Sequence, residues 1–260
     1  TQAGRYSQGV RESRAQYDEG FRAPFLYSTN GEIIWFQDVR DPLNRSRQVK
    51  AFHTPSALRE MLRRNDHLSW TTLGSLPFRE GSVRPYQEDA IRAVEKAIRD
   101  RRRQMMVVMA TGTGKTRTTI QQAYRLMKSG AAKRILFLVD RRALAAQTVR
   151  AFASFECEPG LKFDKTYEVY SQRFQQADLD DDSGEKFDPK VLPNRYLTDP
   201  QEGDAFVYVC TIQRMAINLF GRQGMLEGLG ESEEDAEQLS IPIHAFDLII
   251  ADECHRGYSR

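Results

Sequence analysis

One short stretch constrains this chain more than any other. Met105–Ala110 is an unbroken apolar run, Thr111-Gly-Thr-Gly-Lys-Thr116 follows it directly, and Lys115–Met127 continues with helix-forming residues. The order strand, glycine-rich loop, helix has a chemical meaning. Glycines let backbone N–H groups curl around a phosphate, a lysine meets the β and γ oxygens, and a threonine hydroxyl holds Mg2+. The positive end of the following helix points at the same anion. Thr111, Gly112, Thr113, Gly114, Lys115 and Thr116 are therefore the expected cradle for ATP, with Thr116 also a ligand of Mg2+. The bland alternative, a flexible turn with an incidental lysine, does not account for the strand before it and the helix after it. The general pattern carries a further glycine at 109, where this chain has Met109.

A nucleoside triphosphatase also needs a carboxylate near the metal and a group that activates water, both at the carboxyl end of a neighbouring buried strand. Phe246–Ala251 followed by Asp252-Glu253-Cys254-His255 supplies them. Asp252 is expected to hold Mg2+ and Glu253 to orient or deprotonate the attacking water, with His255 sensing the γ-phosphate. On its own an Asp-Glu pair after an apolar strand is equally a solvated strand end; the cradle upstream gives it its meaning. The four histidines, His53, His67, His244 and His255, lack metal-ligand spacing.

From Arg84 onward the pattern alternates: helix to Arg99, strand 105–110, helix 115–127, strand 134–140, helix 143–155, strands 165–170 and 206–211, helix 213–220 and strand 246–251. Such alternation implies parallel βαβ units. The expected fold class is α/β, a P-loop parallel sheet with helices on both faces. Upstream, Asn30-Gly31 between two apolar runs predicts a β-hairpin, and Thr54-Pro55 predicts a helix start within 53–64. Residues 65–83 read as a connector. The expected domains are 1–82, a small α+β segment, and 83–260, the nucleotide-binding unit. Residues 171–204 and 221–242 read as surface insertions.

Composition excludes several classes. Among 260 residues, 40% are hydrophobic and 28% charged, within the globular range. The apolar runs are far shorter than the ~20 residues that cross a bilayer. Three cysteines do not make a disulfide scaffold, and no export signal opens the sequence, so a cytoplasmic location is expected for an excised piece of a longer chain. The net charge of +2 hides an asymmetry: residues 178–240 hold 15 acidic and 5 basic side chains. That segment would repel a phosphate backbone and is expected off any nucleic-acid path. Arg101–Arg103 read as a solvated helix end.

With these motifs in place the sequence resembles superfamily 2 nucleic-acid translocases. Met109-Ala-Thr-Gly-Thr-Gly-Lys-Thr116 is the form of the cradle in restriction-enzyme motors, which explains Met109. Arg84-Pro-Tyr-Gln-Glu88 is similar to the adenine-recognition element, so the resemblance implies that Gln87 binds the base. Leu138-Val-Asp-Arg141 and Cys210-Thr-Ile-Gln213 are similar to two further motifs, which implies nucleic-acid contacts by Arg141, Thr211 and Gln213. Asp252-Glu-Cys-His255 followed by Arg256 resembles the motor subunit of type I restriction-modification enzymes. That resemblance implies a RecA-like fold, an ATP-dependent hydrolase moving along double-stranded DNA, and methyltransferase and specificity subunits as partners. It also makes the hairpin near Trp35 the stretch joining a nuclease to the motor. The nuclease's Glu-x-Lys pair does not occur here, and Ser13 stands where the family often shows Gln four residues before a Tyr, so DNA cleavage is not assigned to these residues.

Two other readings remain open: a repair or remodelling helicase with the same motor, and a DNA-binding module that uses nucleotide only as a switch. The arginine finger and the coupling strand expected from the rest of such a motor are not in this sequence. Little turnover is therefore expected from the chain alone, together with an exposed sheet edge that favours modest stability or self-association.

Overall fold

The computed structural model describes residues 2–10, 16–17, 20–64, 66–78, 81, 83–179, 187–222 and 235–253. After a short helix, α1 (Gln2–Gln8), the hairpin forms where Asn30-Gly31 predicts it. β1 (Phe25–Thr29) pairs antiparallel with β2 (Ile34–Asp38), and β2 with a third strand, β3 (Arg47–Val49). Asn30 Oδ1 closes the turn by accepting from the backbone N–H of Glu32 and Ile33, while Gly31 takes φ 97°. Tyr27, Phe36 and Arg47 lie in one cross-strand row. α2 (Pro55–Arg63) begins as expected, its Thr54 hydroxyl accepting from Ala57 N at 3.2 Å.

The connector expected over 65–83 in fact carries a helix, α3 (Asp66–Ser75). Its threonines and Gly74 hide it, since only Ser69 and Leu73 are buried. Leu73, 1% exposed, joins the larger core cluster.

α4 (Pro85–Arg99), α5 (Lys115–Lys128), β4 (Arg134–Val139) and α6 (Arg142–Ser154) follow the predicted order. A small hairpin, β5 (Glu156–Glu158) with β6 (Leu161–Lys162), precedes β7 (Glu168–Ser171). Short helices α7 (Gln176–Leu179) and α8 (Arg195–Thr198) lead to β8 (Phe206–Thr211), α9 (Ile212–Phe220) and β9 (Leu248–Ala251). Their sheet has the order β7-β8-β4-β9, parallel throughout. The α/β class with a parallel sheet between helical layers is thus observed.

Alternation along β4 divides the core. Ile135, Phe137 and Val139 face α5 and α6, packing with Ala145, Val149, Phe152, Val207 and Val209. Leu136 and Leu138 face the other way, onto Tyr208, Cys210, Met215, Leu192 and Leu197. The last two correct the reading of 171–204 as surface: Leu192 is 6% and Leu197 2% exposed.

The main departure is Met105–Ala110, which is not a strand. It runs without a ladder partner, Met106 79% and Val108 82% exposed. An apolar run becomes a strand only where an edge accepts its N–H and C=O groups, and among the described residues none pairs with it. β9 ends the sheet, leaving Ile249 60% exposed.

Candidate active site

The parallel register brings the carboxyl ends of three strands to one rim: Val139 pairs with Thr211, and Leu138 with Ala251. The phosphate loop meets this rim. Gly112 and Gly114 take φ 77° and 84°, the left-handed region that glycine enters without steric cost. Gly114 is also the N-cap of α5, so the first N–H groups of a 14-residue helix open toward the loop. Thr113 Oγ1 donates to Ala110 O at 2.6 Å and shapes the turn.

Lys115 Nζ lies 2.8 Å from Glu253 Oε1, and both side chains are about one-third and one-quarter exposed. The cradle and the acidic motif, 138 residues apart, are therefore in direct contact. Asp252 N donates to Leu138 O at 2.9 Å, extending the β4–β9 ladder one step, and Asp252 Oδ1 accepts from Glu253 N at 2.9 Å. This bend places Glu253 at φ 50°, a left-handed conformation uncommon for a residue with a Cβ. It turns the Glu253 carboxylate toward Lys115 instead of along the strand.

Gln87 is 3% exposed, and both ends of its amide are engaged. Oε1 accepts from Arg84 N at 2.8 Å and Nε2 donates to Thr113 O at 2.8 Å. Tyr86 OH donates to the same carbonyl at 2.9 Å. α4 thus holds the phosphate loop through two side chains, a role sequence reasoning did not foresee for Tyr86. Crowding is tight: a Cβ on Gly114 would stand 2.6 Å from Gln87 Nε2.

Of the other expected residues, Thr111 and Gly112 are exposed, and Thr116 is half-buried in the first turn of α5. Arg141 is exposed beside Asp140, 3.4 Å away. Thr211 is 1% exposed and its hydroxyl caps α9 by accepting from Arg214 N at 3.0 Å. Gln213 is half-buried in the first turn of α9. His255 lies outside the described residues.

The donor set fits a triphosphate with its metal. It offers a helix N-terminus, two glycines in the conformation a cradle needs, a lysine already facing an anion, and a threonine and an aspartate of the type that binds Mg2+.

Comparison with known proteins accords with this geometry. The family model described as "Type III restriction enzyme, res subunit" matches residues 80–260. The chain belongs to this restriction-enzyme family. A second model, "Type I restriction enzyme EcoKI endonuclease subunit second domain", matches residues 1–62. The Type I restriction enzyme EcoKI endonuclease subunit of Escherichia coli K12 is 34% identical over 92% of the chain, and the EcoAI endonuclease subunit of E. coli 31% over 93%. The SauCOLORF180P endonuclease subunit of Staphylococcus aureus COL is 29% identical over 68%. The chain spans 18%, 25% and 15% of these three restriction subunits' own lengths. No solved structure matches it. Among the described residues no helix is long and apolar enough to cross a membrane, and no cluster of His, Cys, Asp and Glu stands ready for a metal.

Proposed function

We propose that this chain is the ATP-binding part of an ATP-dependent DNA translocase in a type I restriction complex. The whole subunit hydrolyses ATP to move along duplex DNA before cleavage, in the cytoplasm, with methyltransferase and specificity subunits as partners. Residues 1–82 form the linker from the nuclease side and 83–260 the first RecA-like motor domain. The observation that carries this reading is the contact between Lys115 and Glu253, which joins the two halves expected of an ATP site.

Each side chain then has a task. The loop N–H groups and Lys115 bind the phosphates, Thr116 and Asp252 hold Mg2+, Glu253 takes the proton of the attacking water and His255 senses the γ-phosphate. Bound Mg2+ supplies charge neutralisation at the phosphate oxygens. Gln87 and Tyr86 fix the loop, and Gln87 reaches the adenine only by exchanging one of its present hydrogen bonds. Arg141, Thr211 and Gln213 belong to the DNA track at the same rim; Thr211, buried with its hydroxyl capping α9 and its N–H held by Gln172 Oε1 at 2.7 Å, shapes that track by positioning α9. The Lys115 ammonium is held by Glu253, so a bound γ-phosphate has to displace that carboxylate.

Equilibrium binding of a fluorescent ATP analogue with Mg2+ tests the reading. Binding by the native chain that falls at least tenfold in Lys115→Ala is expected. Equal binding by both proteins would remove the nucleotide site. In the full-length subunit the same substitution is expected to abolish DNA-stimulated ATP hydrolysis; full DNA activity in that variant would favour a motor-independent DNA-binding module.

A further inference from the structure

We propose that Arg47 and Arg103 form a second contact for the nucleic-acid backbone, outside the motor rim, where the turn after α4 is fastened to the amino-terminal sheet. The proposal rests on the DNA-translocase reading and adds a place to it.

The local segments that supply the two arginines hold no acid of their own. Residues 42–59 carry four basic and no acidic side chains, and residues 101–103 carry three and none. Arg47 lies on the face of β3 that continues the Tyr27–Phe36 row, its guanidinium 5.2 Å from the Phe36 ring centroid. Phe36 in turn stands 4.5 Å from the ring of His53, whose Nδ1 is 2.6 Å from Tyr27 OH. Arg47 is therefore set on an aromatic floor, with no carboxylate partner among the described residues.

Arg103 is delivered by an unusual turn. α4 closes with Arg102 N donating to Ala97 O and Arg101 N to Ile98 O, a Schellman pair of bonds. The left-handed position, usually glycine, is Arg101 at φ 56°. Arg101 donates to Asp41 and Asp66 at 2.7 and 2.8 Å, so the two carboxylates that could have neutralised this corner are already taken. Arg103, two residues on, is exposed overall and has no carboxylate partner among the described residues. Burial, and then the charge of Arg103, hold the Arg47 guanidinium down to about 10, and burial followed by Arg101 lowers Arg103.

Among the described residues neither guanidinium has a carboxylate partner to satisfy its donors, which leaves both able to take an anion. Guanidinium matches phosphate oxygens by two parallel hydrogen bonds. The acidic segment 178–240 contributes none of the groups named here. A phosphodiester backbone, with an anion at every step, is the ligand this chemistry fits.

Fluorescence anisotropy of a short duplex, titrated with KCl, tests the site. The proteins compared are the native chain, Arg47→Gln/Arg103→Gln, Arg141→Gln, and a charge-matched control, Lys162→Gln/Lys165→Gln. Each phosphate contact contributes about 0.9 to the slope of log affinity against log salt. The double arginine variant is expected to lower that slope by about 2 and to melt at the native temperature or above it. A slope equal to that of the lysine control overturns the site, and if Arg141→Gln alone lowers the slope, the DNA reading survives without it. Native chain that does not bind duplex sinks both the site and the DNA reading for this chain. Loss of ATP or inorganic phosphate binding by the double arginine variant, with duplex binding intact, assigns the pair to a free anion and overturns the proposal.

Discussion

Arg125, on α5, is buried to 1% exposure and donates from Nε to Glu95 Oε1 of α4 at 2.6 Å. Its other nitrogens reach Leu76 O and Leu73 O at 2.7 and 3.1 Å, and its guanidinium lies 4.1 Å from the Phe78 ring centroid. One side chain thus ties the phosphate-loop helix to α4, to α3 and to the segment after it.

Removing one partner of this pair strands a charge without water, which costs about 3–5 kcal/mol. Glu95→Ala is expected to lower unfolding stability by that amount in urea titration. Replacing both, as Glu95→Leu with Arg125→Met, is expected to recover more than half of the loss, because no buried charge remains. A double variant as unstable as Glu95→Ala would show that the carbonyl bonds of Arg125, not the ion pair, hold the corner.

Gly114→Ala combines a left-handed backbone with a Cβ pressed onto Gln87 Nε2. The backbone term alone is roughly 1–2 kcal/mol. Stability is expected to fall by about that much and ATP affinity by tenfold or more, as read by calorimetry. Adding Gln87→Ala removes the clash but also a loop anchor, so stability is expected to return in part and affinity to stay low. Full affinity in the single variant would show that the loop does not keep this conformation when nucleotide binds.

Glu253→Gln removes the anion that holds Lys115. ATP is expected to bind several-fold more tightly, since its γ-phosphate no longer competes with a carboxylate for the ammonium. In the full-length subunit, turnover is expected to fall at least a hundredfold with the loss of the base. Weaker ATP binding in this variant would contradict the competition.

Acid is expected to weaken the fold through His53. Burial, then Arg47, His244 and Arg103, hold its imidazole down to about 4, against 6.5 for an unburied histidine, and His244 is lowered by burial and Arg134. The unfolded chain therefore binds more protons than the folded one between these values. The stabilisation is fully present above pH 6.5 and lost as pH falls through 4, on the order of 2 kcal/mol after allowance for solvent near the ring. His53→Gln is expected to flatten the pH dependence of the melting temperature across that window; an unchanged profile would place the titration elsewhere.

What could be read from sequence follows from how many faces of an element are buried. β4 and β8 are buried along their whole length, and continuous apolar runs announced them. The turn at 112–115 and the Asp252-Glu253 pair could be picked out because each is a fixed set of residue types, and the structure brings Lys115 and Glu253 together. Met105–Ala110 misled because an apolar run describes a strand's preference and not the neighbour it needs. Glu95 hid on the helix face that Ile91, Val94 and Ile98 mark as apolar, since nothing local reveals that Arg125 comes to meet it. Arg101 read as a solvated helix end, whereas two carboxylates from distant segments hold it.

α4 has a different contact at each end. Its last turn leads into Arg101, fastened to Asp41 beside the amino-terminal sheet, and its first turn carries Tyr86 and Gln87, fastened to Thr113 in the phosphate loop. Fifteen residues of helix make a strut of about 22 Å. One short helix therefore touches both the corner beside the amino-terminal sheet and the glycine turn ahead of α5, and neither can shift without loading its joints.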